Sequence, residues 1–485
     1  MSRVVVLGAG VAGHTAALHL KRMLPKGSSV TVVSPKPDWN WIPSNIWVGV
    51  GKMSAQKVVF PLAPIYKRKG IEFIQGRAVG VHVEGTLDDP QPFVALERTG
   101  GPTGVFERVP YDFLINATGP QLRFDATEGL GPDANSQSVC TASHAKQAAA
   151  ALELSISRMR GGEQQTFVVG MGHGTCTCEG AAFEYVFNVE HVVREAGVRD
   201  FARIIYLTNE HEVGDFGVGG MTFEHKGSSV TSEQWMTQLF NERGIEVITQ
   251  AHVKSVEPTR VNYDQIDGSS HSLNFDFAML LPPFKGVGLT ATDRFGNDVS
   301  SKVFAPSGFM KVDANYETKS YEDWSAEDWP RTYESPEYSN VFAVGIAFAP
   351  PHAISKPYST PSGDAVAPSP PRTGMPSGVQ GKTVAETIND RIRNQDSRTP
   401  ARTASMAEMG AACIASVGAG LRTGSAATIT MSPIVPDVAR HGPTGRIAKQ
   451  TFGEIGLAGH WMKRLLHTLF IYKAKARPGW WLIPE

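Results

Sequence analysis

Cysteine is scarce in this 485-residue chain, which has four: Cys140, Cys176, Cys178 and Cys413. So few exclude the disulfide framework of a small secreted domain. A strand begins at Arg3, leaving no room for a secretory leader ahead of it, so the cysteines are expected to be reduced and to serve chemistry rather than structure. No stretch reaches about 18 uninterrupted apolar residues, which argues against a membrane-spanning helix. Charge of one sign is also missing: 46 Lys and Arg balance 47 Asp and Glu, so composition gives no reason to expect a nucleic-acid partner. Glycine is abundant, at 49 residues with no collagen-like period, as suits a chain with many tight βα turns. The length calls for two or three domains.

The N-terminus carries a strand, then Gly8-Ala9-Gly10-Val11-Ala12-Gly13, then a helix to about Met23 and a second strand from Ser29 to Ser34. This is the layout that holds a dinucleotide: the glycines permit the tight turn and close backbone approach, and the helix start attracts phosphate. Ser34, followed by Pro35, stands where an acidic residue usually grips a ribose hydroxyl. Trp39, Trp41 and Trp47 then fall within nine residues, either as a packed loop or as an aromatic wall against a flat ring system. Tyr111 to Asn116 reads as a strand ending in Ala117-Thr118-Gly119.

A second strand–turn–helix pattern spans Val168 to Glu179, but Thr175 replaces the third glycine and Cys176 and Cys178 follow. It reads as a nucleotide-binding half converted to sulfur chemistry. Cys140 sits near a helix start, where the dipole can favour a thiolate. Glu184 lies six residues after Cys178, about 1.7 turns on, so it either borders the same cavity or is solvated. Residues 316–338 look like an acidic surface insertion, and 350–371 like an irregular Pro- and Ser-rich loop. In the tail, residues 460–473 show apolar residues at helical spacing and a basic opposite face, with Trp480 and Trp481 beyond. That describes an interfacial membrane anchor or a helix docked on the protein's own core.

Together these features resemble the sulfide:quinone oxidoreductases of the bacterial type I kind, within the two-dinucleotide-domain flavoproteins. The resemblance is carried by residues 30–34, 42–51 and 117–120 and by the settings of three cysteines. It implies an α/β fold of two tandem Rossmann-like domains: residues 1–120 with 285–385 for FAD, and 121–284 carrying cysteines. Residues 386–485 would form a helical quinone-site and membrane-associating region. FAD is expected on Gly8, Ala9, Gly10, Val11, Ala12, Gly13, Ser34, Pro35, Ile42, Pro43, Ser44, Ala78 and Val79. Ala117, Thr118, Gly119, Gly308, Gly345, Ile346 and Lys473 complete that set. A quinone (ubiquinone or a related one) is expected at Ile414, Lys473 and Gly345. Cys178 and Cys413, the latter at a small-residue helix start, would be the redox pair, with Cys140 as the third cysteine and Glu184 and His144 moving protons. Asp215 stands where the family often has histidine. No metal is expected. The implied partners are sulfide or hydrosulfide, a membrane quinone, the bilayer surface and further copies of the chain in a dimer or trimer, with the protein peripheral (monotopic) on the cell membrane. Two rivals share the scaffold: a type II NADH:quinone dehydrogenase, which needs an intact second fingerprint, and the flavoprotein subunit of a sulfide dehydrogenase that passes electrons to cytochrome c.

Overall fold

Runs of β-branched residues between glycine turns build the sheets. In the computed structural model, which describes residues 2–225, 228–372, 374–396, 399–418 and 424–485, β1 (Arg3–Leu7) feeds α1 (Val11–Met23) and returns as β2 (Ser29–Ser34), parallel to β1. β3 (Glu72–His82) adds in parallel to β2, and β4 (Phe93–Arg98) and β5 (Glu107–Pro110) continue antiparallel. β6 (Phe113–Asn116) lies on the other side of β1. The chain then builds α2 (Ala142–Arg160), β7 (Gln165–Met171), α3 (Glu179–Glu195), β8 (Ala202–Leu207), β9 (Ile245–Ile248) and β10 (Phe277–Leu281). These strands form a second, all-parallel sheet in the order β9-β8-β7-β10.

The chain returns to the first sheet with β11 (Val341–Ala343), which pairs with β6 and completes the order β11-β6-β1-β2-β3-β4-β5. α4 (Met375–Asn394) then crosses α1 so closely that a Cβ on Gly381 would lie 2.3 Å from the Ala12 carbonyl oxygen. The segment expected as a surface insertion is only partly that. Trp329 and Tyr333 are buried, and the backbone around Tyr333 and Ser335 bonds to β11, covering the open edge of the sheet.

The C-terminal region holds more than helix. β12 (Ala411–Val417), β13 (Ser425–Met431) and β14 (Phe452–Gly456) form an antiparallel sheet, and α5 (Leu457–Ala474) packs on it. Cys413 therefore sits in a strand and not at a helix start. Small residues permit either conformation, and pairing with β13 decides it.

The tryptophan loop receives α5. Trp41 stacks between Trp39 and Phe470, at 5.9 and 4.9 Å, and Trp47 lies edge-on to His460 and His467. His14, buried on α1, bonds Tyr66 through Nδ1 at 2.8 Å and the Ala474 carbonyl through Nε2 at 2.7 Å. A carbonyl only accepts, so Nε2 carries the proton and the Tyr66 hydroxyl donates to Nδ1. This pattern needs a neutral ring, and burial pushes His14 down to about 4 from 6.5. The unfolded chain therefore binds more protons across that window, and stability falls as pH drops from 6.5 toward 4. His14 alone should cost about 2 kcal/mol between pH 7.5 and 5. Urea unfolding at both pH values should show a loss that much smaller for His14→Gln than for wild type; equal losses would refute the assignment.

Candidate active site

The first glycine turn is open at its mouth. Gly8, at φ +95°, passes Ala117 so tightly that a Cβ would lie 2.2 Å from the Ala117 carbonyl oxygen, and one on Gly13 would lie 2.1 Å from the oxygen of Gly8. Those two glycines serve packing. Gly10 and Gly119 have nothing within 4 Å of where a Cβ would stand, and α1 and α4 both begin without a side-chain cap. The C-terminal ends of β1, β6 and β11 meet at this point, as a dinucleotide phosphate requires.

The second turn is filled. A Cβ on Gly174 would lie 2.1 Å from the carbonyl oxygen of Ala365, because the loop expected as irregular runs along the turn. Ala367 N–H donates to the Gly174 carbonyl at 2.8 Å, and Ser369 N–H to that of Cys176 at 2.9 Å. Ser369 Oγ donates to the Thr175 carbonyl, Thr177 Oγ1 to that of Ser369, and Asn209 Nδ2 to Gly174 and Cys176. The Gly174 amide reaches His252 Nδ1 at 3.2 Å. The loop thus occupies the space beside the turn, and the turn's carbonyls already have donors.

This turn ends on Cys178, which caps α3 in the left-handed region at φ 74°, a conformation costing a non-glycine residue about 1–3 kcal/mol. β12 packs on α3 and sets Cys413 over its first turn, where a Cβ on Gly180 would lie 2.8 Å from Cys413 Sγ. Gly180, two residues after Cys178, thus lets the second sulfur approach. No disulfide joins any cysteine among the described residues.

Glu184 is buried rather than solvated. Its carboxylate pairs with Lys463 Nζ and accepts from the Ser416 amide at 3.2 Å. Lys463 also donates to the Ile414 carbonyl at 3.0 Å and lies over the Trp47 ring, and Ser416 Oγ meets His460 Nδ1 at 2.5 Å. Burial pushes Glu184 above its ordinary range, against the pull of Lys463. Burial also pushes the Cys413 thiol up to about 11, with Glu184 adding to the rise and Lys463 opposing it.

Other expected residues lie elsewhere. The Cys140 thiol is not favoured as an anion: burial pushes it up to about 11, with a Ser138 hydrogen bond and Lys36 opposing. It precedes α2, held by Asn40 and Asn45, whose side chains bond Ala142 N–H and the Val139 carbonyl. His144, whose amide is capped by Thr141 Oγ1, stands edge-on to Phe124 at 5.8 Å, and no bond ties it to Cys178 or Cys413 among the described residues. Cys176 is fully buried, donates Sγ–H to the Leu281 carbonyl at 3.0 Å and is pushed well above the usual thiol range by burial. Asp215 accepts from Gly217 N–H and Ser355 Oγ, and its charge adds to the rise of the buried Glu179 that follows Cys178.

Of the expected cofactor residues, Ser34 turns its hydroxyl onto the backbone of Lys36 beside exposed Pro35, and Thr118 turns its hydroxyl onto Asn116. Ile42 is exposed, Pro43 half-buried, and Ser44 bonds His467 Nδ1 at 2.9 Å. Ala78 and Val79 lie at a bulge in β3, and Gly308 crosses Gly286 backbone to backbone. Gly345 donates its amide to Gln380 Oε1 at 2.8 Å, so that N–H is not the one offered to a cofactor, and Ile346 beside it is half-buried. The buried Gln380 carbonyl needs a donor, and Gly345 supplies it. Lys473 spends its ammonium on the tail: it pairs with Glu485 at 2.6 Å and donates to the carbonyls of Ile483 and Pro484.

Sequence reading passed over Lys463, His460 and Ser416. The signal was there: His460, Lys463 and His467 recur at helical spacing inside an apolar segment. Glu179, next to Cys178, was also passed over. It is fully buried with neither carboxyl oxygen hydrogen-bonded among the described residues, and burial pushes it well above the carboxylate range.

The model of the pyridine nucleotide-disulphide oxidoreductase family matches residues 2–326. The chain is 27% identical to a sulfide-quinone reductase of Aquifex aeolicus (strain VF5), over 97% of its own length and 91% of that protein's. The X-ray structure of the sulfide:quinone oxidoreductase from Aquifex aeolicus superposes with a TM-score of 0.75 at 26% identity, covering 98% of this chain and 92% of that one. An NDH2 from Plasmodium falciparum in complex with NADH shares the fold at a TM-score of 0.63 and 12% identity, over 99% of this chain and 97% of that one. With its open first cradle, its second nucleotide turn and two-thirds of its length within the family model, the chain belongs to the pyridine nucleotide-disulphide oxidoreductase family.

Proposed function

We propose that this protein is an FAD-dependent sulfide:quinone oxidoreductase. The observation that carries the reading is Cys413 set against Gly180 in the first turn of α3, the helix that Cys178 caps, in a nucleotide half whose phosphate turn is already filled. The relatives named above support it. The cradle, open at Gly10 and Gly119 and shaped by the packing of Gly8 and Gly13, fits the FAD pyrophosphate. Bound FAD supplies a two-electron relay between the sulfur pair and a membrane quinone.

The chain's own residues open the chemistry. Hydrosulfide attacks a Cys178–Cys413 disulfide, forming one S–S bond and breaking another, and leaves a persulfide on one cysteine and a thiolate on the other. The Glu184–Lys463 pair lies next to Cys413, whose raised pKa holds it mainly as a thiol. Growing a polysulfide would need the pair of sulfurs reoxidised between exchanges, each two-electron step passing to bound FAD and on to the quinone. The filled second turn speaks against the NADH dehydrogenase alternative.

A membrane surface fits the tail, though not by the face expected. Lys463 and Lys473 point inward, while Trp461, Met462 and Leu465 are about half exposed on the outer face of α5, joined by Phe452 and Ile455 of β14. No described helix is long and apolar enough to cross a membrane. The apolar outer face supports a peripheral reading, held to the membrane by apolar contact.

Reduction of a soluble quinone analogue by sulfide should fall at least a hundredfold in Cys178→Ser and in Cys413→Ser, and NADH should not replace sulfide. Full turnover in either variant, or faster reduction by NADH, would sink the reading. Lys463→Met leaves Glu184 buried alone and should cost about 3–5 kcal/mol of stability. The Glu184→Gln/Lys463→Met double variant should cost less in the same denaturant titration; a larger cost would mean the two are not a pair. Burying a side chain such as Trp461 or Leu465 is worth about 1.5–3 kcal/mol, so Trp461→Ser with Leu465→Glu should lower sedimentation with phospholipid vesicles at least tenfold. Undiminished sedimentation would place the membrane contact elsewhere.

A further inference from the structure

Arg372 carries a charge into the site, and no carboxylate pairs with it among the described residues. It is 4% exposed, with Nη1 donating to the carbonyls of Ile346 (3.0 Å) and Phe348, and its guanidinium is stacked on Phe309 at 4.5 Å and Phe348 at 5.4 Å. Its Nε has no hydrogen-bond partner among the described residues. The ionisable groups whose charge bears on it are the Tyr316 phenol and the Cys178 thiol. A buried cation without a counter-ion is costly, and guanidinium is the group best suited to hold an anion out of water.

The backbone puts it there for a reason visible in the register. Ala367 pairs with Gly174, and Ser369 pairs with Cys176 and Thr177, so the segment runs along the turn toward Cys178 and delivers Arg372 at that end. The Ser377 hydroxyl, at the start of α4, donates to the Arg372 carbonyl at 2.7 Å and fixes the backbone. The segment that lines the turn thus also carries a buried cation toward the end where Cys178 stands.

We propose that Arg372 is a positioning residue: the counter-ion that holds the Cys178 sulfur as an anion. The inference rests on the sulfide-oxidising reading. Whichever sulfur hydrosulfide attacks, Cys178 ends the exchange anionic. If attack falls on Cys413, Cys178 leaves as thiolate. If it falls on Cys178, the persulfide proton passes to the Cys413 sulfur, which becomes a thiol, and the Cys178 persulfide keeps the negative charge. Atoms and electrons balance without an oxidant in either case. The groups facing this step are Arg372, Tyr316 (with Asp313 beyond it) and Glu179 around Cys178, and Glu184 and Lys463 around Cys413.

The test is the pH dependence of Cys178 alkylation by iodoacetamide, read by mass spectrometry on reduced, FAD-loaded full-length protein. Wild type should alkylate with a midpoint below the ordinary thiol value of about 8.5. Arg372→Met should move the midpoint up by at least one pH unit, about a tenfold loss of rate near neutral pH, while Arg372→Lys stays close to wild type. Either a wild-type midpoint at or above the ordinary value or coincident profiles for wild type and Arg372→Met would overturn the proposal. The wild-type measurement decides even if Arg372→Met fails to fold. Sulfide turnover is measured separately: a shifted Arg372→Met profile in a protein that does not oxidise sulfide supports the counter-ion and overturns the activity.

Discussion

The rule that buried backbone polar groups must be paired shapes the second half of this molecule. A glycine-rich turn at the head of a parallel sheet leaves backbone carbonyls that need donors. Here residues 365–369 supply them to Gly174, Thr175 and Cys176, by two backbone bonds and the Ser369 hydroxyl, and the Thr177 hydroxyl donates back to the Ser369 carbonyl. The same segment occupies the space beside the turn, which ends on a cysteine in a strained left-handed conformation. α3 starts there, β12 packs on it, and Gly180 leaves the space in which the second sulfur sits.

What could be read from sequence was local. The first fingerprint, its helix and the strands on either side follow from glycine spacing and apolar periodicity, and α1 and β2 fall where those patterns place them. Cys178 and Glu184 are six residues apart and share one helix. What escaped reading was long-range. Lys463 meets Glu184 across 279 positions, while Lys473 on the same helix bonds the tail instead, and only the fold decides which lysine takes which partner. The Pro- and Ser-rich loop gives no local sign that its backbone matches the second turn. Cys413 lies among small residues that favour neither helix nor strand, and only β13, further along the chain, fixes the choice.

The tail inverts the usual amphipathic helix. Its polar stripe of His460, Lys463, His467 and Lys473 is turned inward, where Ser416, Glu184, Ser44 and Glu485 answer each group. Its apolar face is left outward. Exposed apolar side chains gathered on one face mark an interaction surface, and this is the face we propose for the membrane.

The bond between His14 and Ala474 joins residues 460 positions apart. At roughly 5–20 residues per second of synthesis, the first-domain residues that receive the tail wait on the order of half a minute or more for it. Through that interval Trp41 lacks Phe470 and His19 lacks Glu485. The oldest part of the nascent chain is thus the last to be completed, and its unfinished apolar surface is a natural place for a chaperone to hold it.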